Sequence, residues 1–278
     1  MSIKKHALVL FTKYPEPGVT KTRLTEENGG NFTVVEAAEL YRAMMLDTAD
    51  VAVYALAKCR KNGAEGGDFA FWVSSSPQAH MPKMQEMFGR ALPNASIQYL
   101  VDRGRNFDEH FNSCYQQLFE MGYYSVICIG GDLPGITPDL ICRAFDHLIR
   151  LGYDSQKGAM VLAPCQAGGV SLVGITRETQ IDFSGAFYNP DGITTLDAIV
   201  KIASDKDIPL ALFEALSDVD YGDDLGHMIS IINAMDYASR YQKDILVPQR
   251  TLKWIRDTGL VASSPPNMLS DPRELIDG

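Results

Sequence analysis

Short apolar runs, each followed by a segment of helical periodicity, recur from one end of this chain to the other. Ala7–Thr12 reads as a strand, and Val34–Lys58 follows as a helix with Ala37, Tyr41, Met44, Thr48, Val51 and Ala55 on one stripe. Further strands are expected at Phe69–Val73, Ile97–Val101, Ser125–Ile129, Gly158–Ala163, Gly168–Ile175 and Pro209–Phe213. Between them, Ser76-Pro77 opens a helix with proline at its first position, and Thr137-Pro138-Asp139 opens another with Thr137 as N-cap. Helices near Phe107–Met121, Ile193–Ala203 and Asp220–Tyr241 complete the series. Repeated β-α-β units require a mostly parallel sheet with helices on both faces, an α/β Rossmann-like architecture. One domain over residues 1–245 is expected, its halves meeting near residues 135–136. Residues 246–278 form a C-terminal extension: a short helical piece near Thr251–Asp257, then Ser263-Ser-Pro-Pro and Asp271-Pro-Arg-Glu as a packed arm or a disordered tail.

The formal charge of −10 argues against a nucleic-acid partner, which would call for a basic surface, but it allows a local basic pocket for a small anion. Cys59, Cys114, Cys128, Cys142 and Cys165 show no C-x-x-C spacing, so neither a zinc site nor a disulfide framework is expected. No apolar run reaches membrane-spanning length and no signal-peptide pattern is present, so the expected location is cytoplasmic, with no membrane partner. His6, His80, His147 and His227 are scattered and read as surface histidines, and Trp72 and Trp254 as packing residues.

In an open α/β sheet, ligands bind beyond the carboxyl ends of the strands. Three polar clusters fall there. After the first strand comes Lys13-Tyr-Pro15-Glu-Pro17-Gly18-Val-Thr-Lys21-Thr-Arg23. Two prolines stiffen this exit, Gly18 lets backbone approach a ligand, and Lys21 and Arg23 offer a point charge and a bidentate fork that suit a diphosphate. A solvated loop pairing its cations with Glu16, Glu26 or Glu27 is the plainer alternative. After the strand at Ser125–Ile129 comes Gly130-Gly131-Asp132-Leu133-Pro134, where two glycines leave room for a ligand and Asp132 can hold Mg²⁺ or Mn²⁺. The third cluster, Asp218-Val-Asp220-Tyr-Gly-Asp223-Asp224, concentrates four carboxylates in seven residues. Asp220 as N-cap with Asp223 and Asp224 in the first turn accounts for three of them, and Asp218 is the surplus acid that suggests a cation.

In this order the clusters resemble a family of GT-A-like nucleotide-diphospho-sugar transferases. These include arsenosugar-type glycosyltransferase-like proteins and are similar to 2-phospho-lactate guanylyltransferases and molybdenum-cofactor nucleotidyltransferases. The resemblance covers roughly residues 5–240. It implies a GT-A fold in which Lys13, Gly18, Lys21, Arg23 and Gly131 line a nucleotide–diphosphate pocket. Asp132, Asp218 and Asp220 would hold the metal, and Glu109 matches the acid of the family's Gly-Glu-Arg element. That element's arginine is His110 here. The family's Asp-Gly-Gly-Tyr-Tyr becomes Ala167-Gly168-Gly169-Val170-Ser171, a common tryptophan corresponds to Tyr188, and Asp-Thr-Pro becomes Asp220-Tyr221-Gly222. Gly168, Gly169 and Tyr188 therefore mark the acceptor side.

The expected activity is metal-dependent transfer from a nucleotide-activated donor to a small-molecule acceptor, with glycosyl transfer from an NDP-sugar foremost. Nucleotidyl transfer from an NTP uses the same pocket parts. A non-catalytic nucleotide or sugar-nucleotide binder would explain the altered acceptor side, and Glu109 is the one candidate base. A flavodoxin-like domain of unrelated function is disfavoured, because about ten residues separate the first basic loop from the long helix, too many for a helix-dipole phosphate cradle.

Overall fold

The computed structural model describes residues 4–62, 67–153 and 155–263. Seven strands, β1 (Lys5–Phe11), β2 (Asp68–Ser74), β3 (Ile97–Leu100), β4 (Ser125–Ile129), β5 (Met160–Pro164), β6 (Val170–Thr176) and β7 (Leu210–Leu212), form one sheet. Their order is β3-β2-β1-β4-β6-β5-β7. β1 pairs in parallel with β2 and β4, and β6 alone runs antiparallel, between β4 and β5. Only Cys165–Gly169 join β5 to β6, a link too short for a crossover, so the two strands must be antiparallel neighbours. The strand expected from Gly168 starts at Val170, because Gln166–Gly168 form the intervening turn, with Ala167 and Gly168 in the left-handed region.

Among the described residues the helices are α1 (Val34–Asn62), α2 (Met81–Ala91), α3 (Phe107–Glu120), α4 (Pro138–Gly152), α5 (Thr195–Asp205), α6 (Gly222–Ala238) and α7 (Gln249–Thr258). Residues of β1 alternate between two cores, as the period of a strand requires. Leu8 and Leu10 join the core built with α1, α2, α4, α6 and α7, while Ala7 and Val9 join the one built with α3 and α5. Leu8 and Leu10 are wholly buried, each contributing about 2–3 kcal/mol of burial. Thr137 caps α4 through the Leu140 amide at 3.2 Å with Pro138 behind it, as the sequence predicts.

Three local expectations are corrected. Pro77 does not open a helix: its backbone is extended and its carbonyl starts a 3-10 turn at Gln78–His80, so Pro82 takes the first-turn position of α2. Asp220 is not the N-cap of α6; Tyr221 is, and Asp224 reaches back to accept from the amides of Asp220 (3.0 Å) and Tyr221 (2.7 Å). His6 is buried rather than exposed. It stacks on Phe69 and bonds the Ser125 hydroxyl at 2.7 Å, and burial brings its pKa down to about 4.

α7 belongs to the α1 side of the domain, with Leu252, Trp254 and Ile255 buried and Trp254 edge-on to Phe32. Pro248 offers its first turn no side-chain cap, and Asp47 of α1 does so instead, accepting from the amides of Arg250 (3.1 Å) and Thr251 (2.7 Å). The Ser264-Pro-Pro and Asp271-Pro-Arg-Glu segments lie outside the described residues.

Candidate functional site

A cavity of about 990 Å³ opens over the carboxyl ends of the strands. Lys13, Lys21, Arg23, Gly131, Asp132, Gly169, Tyr188, Asp218 and Asp220 are all on its wall. The Pro-Glu-Pro-Gly turn is closed by the Glu16 carbonyl, which accepts from the amides of Val19 and Thr20 and from the Thr20 hydroxyl. Lys21 follows in the left-handed region (φ 51°, ψ 37°) and heads a 3-10 turn, Thr22–Leu24, pinned by the buried Leu24. This turn sends the Lys21 side chain inward, where it is 7 % exposed.

The Lys21 ammonium donates to both Asp132 and Asp220, the latter at 2.7 Å. Arg23 donates to the other oxygen of Asp220 at 2.9 Å, its guanidinium 5.0 Å from the Tyr221 ring. Burial opposes the charge on Lys21, but Asp132 and Asp220 hold its pKa above the ordinary lysine value. Burial likewise opposes charge on Asp220, and Lys21 and Arg23 hold it below the ordinary carboxylate value. Asp218 has no such partner. Burial first, then the negative charge of Asp132, pushes it up to about 6. Beside it, burial and the charge of Asp218 push the Cys165 thiol up to about 12. Asp218 and Asp220 flank Val219, which is fully buried and anchors their segment in the core.

Gln166, beside this wall, had no sequence signal. It clamps the acidic segment, accepting from the Asp218 amide (3.2 Å) and donating to the Asp218 carbonyl (3.0 Å) and to Asp224 (3.2 Å). At the β2–β3 end of the cavity, His110 Nδ1 lies 2.8 Å from Asp102, whose other oxygen accepts from Ser74 at 2.8 Å. Asp102 is 4 % exposed, so the imidazole is oriented by a buried carboxylate beside the aromatic rings of Phe107 and Phe111. By strand spacing this end lies about 14 Å from Asp132, three strands away.

Three sequence candidates, Gly18, Glu109 and Gly168, are not on this wall. Gly18 has positive φ. Arg105 holds the Glu109 carboxylate through its amide and guanidinium and lowers its pKa. A Cβ on Gly131 would lie 2.8 Å from the Thr12 hydroxyl, and one on Gly168 would lie 2.6 Å from Thr194, so the room at both is taken by the protein itself. Tyr188 stands at the rim, 78 % exposed and edge-on to Phe107.

The donor set suits a hard divalent cation. Among the described residues no three His, Cys, Asp or Glu side chains close on one point as a complete cage. Mg²⁺ does not need one, since it is commonly held by one or two carboxylates with water and ligand phosphates. Asp132 and Asp220 already share one cation, the Lys21 ammonium, and Asp218 adds a third carboxylate whose charge Lys21 offsets only in part.

Residues 62–190 match the family described as "Uncharacterized protein conserved in bacteria (DUF2064)". No curated protein sequence matches the chain. Among solved structures, the chain is similar to a "putative nucleotide-diphospho-sugar transferase" of Desulfovibrio desulfuricans G20, with 20% identity, a TM-score of 0.67, and 92% of this chain and 96% of that one covered. A cytidylyltransferase of Leptospira borgpetersenii serovar Hardjo-bovis (strain JB197) matches at 10% identity and TM-score 0.49 over 95% and 99% of the two chains. A 4-diphosphocytidyl-2C-methyl-D-erythritol synthase of Anaerococcus prevotii DSM 20548 matches at 9% and 0.49 over 83% and 96%. These last two likenesses are too loose to build on. The first bears out the expected architecture: the fold is α/β, Rossmann-like, and shared with a protein of the nucleotide-diphospho-sugar transferase name. No helix of the described residues is long and apolar enough to cross a membrane.

Proposed function

We propose that the protein is a metal-dependent transferase that takes a nucleotide-activated donor, foremost a nucleoside-diphosphate sugar, and passes its group to a small-molecule acceptor. One observation carries this reading: a buried ammonium, a half-exposed guanidinium and three carboxylates meet on the wall of one nucleotide-sized cavity. Lys21 and Arg23 supply the positive charge that a diphosphate requires. Asp132 and Asp220, with Asp218 beside them, would hold Mg²⁺ or Mn²⁺, whose role is to neutralise charge developing on the leaving diphosphate. The name of the Desulfovibrio protein supports the choice of an NDP-sugar donor. Gly169 of the β5–β6 link and Val170 and Ser171 at the start of β6, with Tyr188 at the rim, leave the acceptor a wall different from the family pattern.

The test is a thermal-shift scan of nucleoside diphosphates, NDP-sugars and NTPs with and without Mn²⁺. The expected result is stabilisation that depends on Mn²⁺ and is lost in Asp132→Ala. A protein that no nucleotide stabilises, or an Asp132→Ala variant that responds like wild type, overturns the reading. In turnover assays of any hit, release of a nucleoside diphosphate identifies glycosyl transfer, and release of pyrophosphate identifies nucleotidyl transfer.

A further inference from the structure

The place between Asp132 and Asp220 is already filled by a side chain. Lys21 donates to one oxygen of each carboxylate, and Arg23 engages the second oxygen of Asp220. A divalent cation bridging the two acids therefore has to displace the ammonium. The displaced ammonium is a buried charge, costly to leave without a partner. Among the described residues its other electron-rich neighbours include the Tyr41 ring, 5.6 Å away, and the Asp218 carboxylate, which feels its charge without a salt bridge; neither equals the two carboxylates it leaves. A diphosphate entering beside the metal offers it new oxygens.

We propose that Lys21 is a built-in counter-cation that occupies the metal position until a divalent cation and a diphosphate arrive together, so that each ligand binds strongly only in the presence of the other. This rests on the reading of the site as a diphosphate–metal pocket. The local structure suits such an exchange. The backbone before Lys21 is fixed by the Glu16 carbonyl and that after it by Leu24, so the long side chain is the part free to change partners. Lys21 itself is held in a left-handed conformation that is unfavourable for any residue but glycine and aims the side chain at the acids. Because coupling between two ligands is reciprocal, metal must strengthen diphosphate binding by the same factor that diphosphate strengthens metal binding.

The experiment measures Mn²⁺ binding by electron paramagnetic resonance, alone and with inorganic pyrophosphate, in wild type and in Lys21→Met. Wild type is expected to bind Mn²⁺ at least about tenfold more tightly with pyrophosphate, within the usual span of coupling energies. Lys21→Met is expected to bind Mn²⁺ alone about tenfold more tightly than wild type and to lose most of the coupling. Mn²⁺ affinity in the variant that is unchanged or weaker overturns the exchange. If the variant gains Mn²⁺ affinity while pyrophosphate has no effect on wild type, the exchange stands and the diphosphate reading fails. Should Lys21→Met not fold, the ¹⁵N signal of the shielded Lys21 ammonium in wild type decides. It is expected to persist with Mg²⁺ alone and to shift when pyrophosphate is added, and a signal unmoved by both together contradicts the proposal.

Discussion

Two clusters of buried charge can be set side by side. At the start of α7, Asp47 is 3 % exposed and takes hydrogen bonds from two amides, the Thr251 hydroxyl and the Arg250 guanidinium. At the cavity, Asp132 and Asp220 share one buried ammonium, Asp220 also takes one half-exposed guanidinium, and Asp218 stands beside them. The first cluster spends all its acceptors on fixed protein donors, and its work is to fasten α7 to α1. Counting Asp50, which also pairs with Arg250, each cluster has one carboxylate more than its cations, but in the second Asp218 takes no salt bridge from a described residue, and burial first, then the charge of Asp132, raises its pKa to about 6. A purely structural cluster has no reason to bury an acid without a cationic donor. A site that awaits a divalent cation does.

Breaking the first cluster should cost the most. Asp47→Ala leaves the Arg250 and Thr251 amides and the Thr251 hydroxyl without their acceptor and the Arg250 guanidinium with Asp50 and the Ala91 carbonyl alone, and the expected loss is about 3 kcal/mol, read as a lowered urea midpoint. Nucleotide response in the surviving folded protein should be unchanged. Loss of that response at equal stability would erase the contrast between the two clusters. Asp218→Asn should do the opposite and stabilise the protein above neutral pH, by about 2–4 °C in melting temperature. The sign follows from linkage. The folded-state pKa of Asp218 is raised, so its favourable protonated form is lost as pH climbs from the ordinary carboxylate value through about 6. The advantage of the asparagine should therefore be absent near pH 4 and full above pH 7. A variant less stable than wild type at pH 7.5 would show that Asp218 is part of the scaffold.

Much of this was legible in the sequence because it is local. The β4 run Ser125–Ile129 is buried at every position, and Thr137-Pro138 carries its own cap, so strand, loop and helix could be placed around Asp132. The direction of β6 was not legible, since a strand buried on both faces reads the same either way and only its short link to β5 sets its sense. Asp220 read as a helix cap because composition cannot say which acid reaches back; Asp224 does so, and Asp220 is thereby free to pair with Lys21. Burial of His6 depends on Phe69 and Ser125 from neighbouring strands. The Asp102–His110 pair likewise joins a β3–α3 loop residue to the first turn of α3, where only the departure from the family arginine set His110 apart.

The central claim is that Lys21, Asp132 and Asp220 form a cation–diphosphate site. Its most direct test is a crystal structure of the protein with Mn²⁺ and a nucleoside diphosphate, using anomalous scattering to find the metal. The expected result is a manganese peak bound by Asp132 and Asp220, with the Lys21 ammonium turned to phosphate oxygens. A nucleotide bound elsewhere, or manganese absent while Lys21 still bridges the two carboxylates, would contradict it.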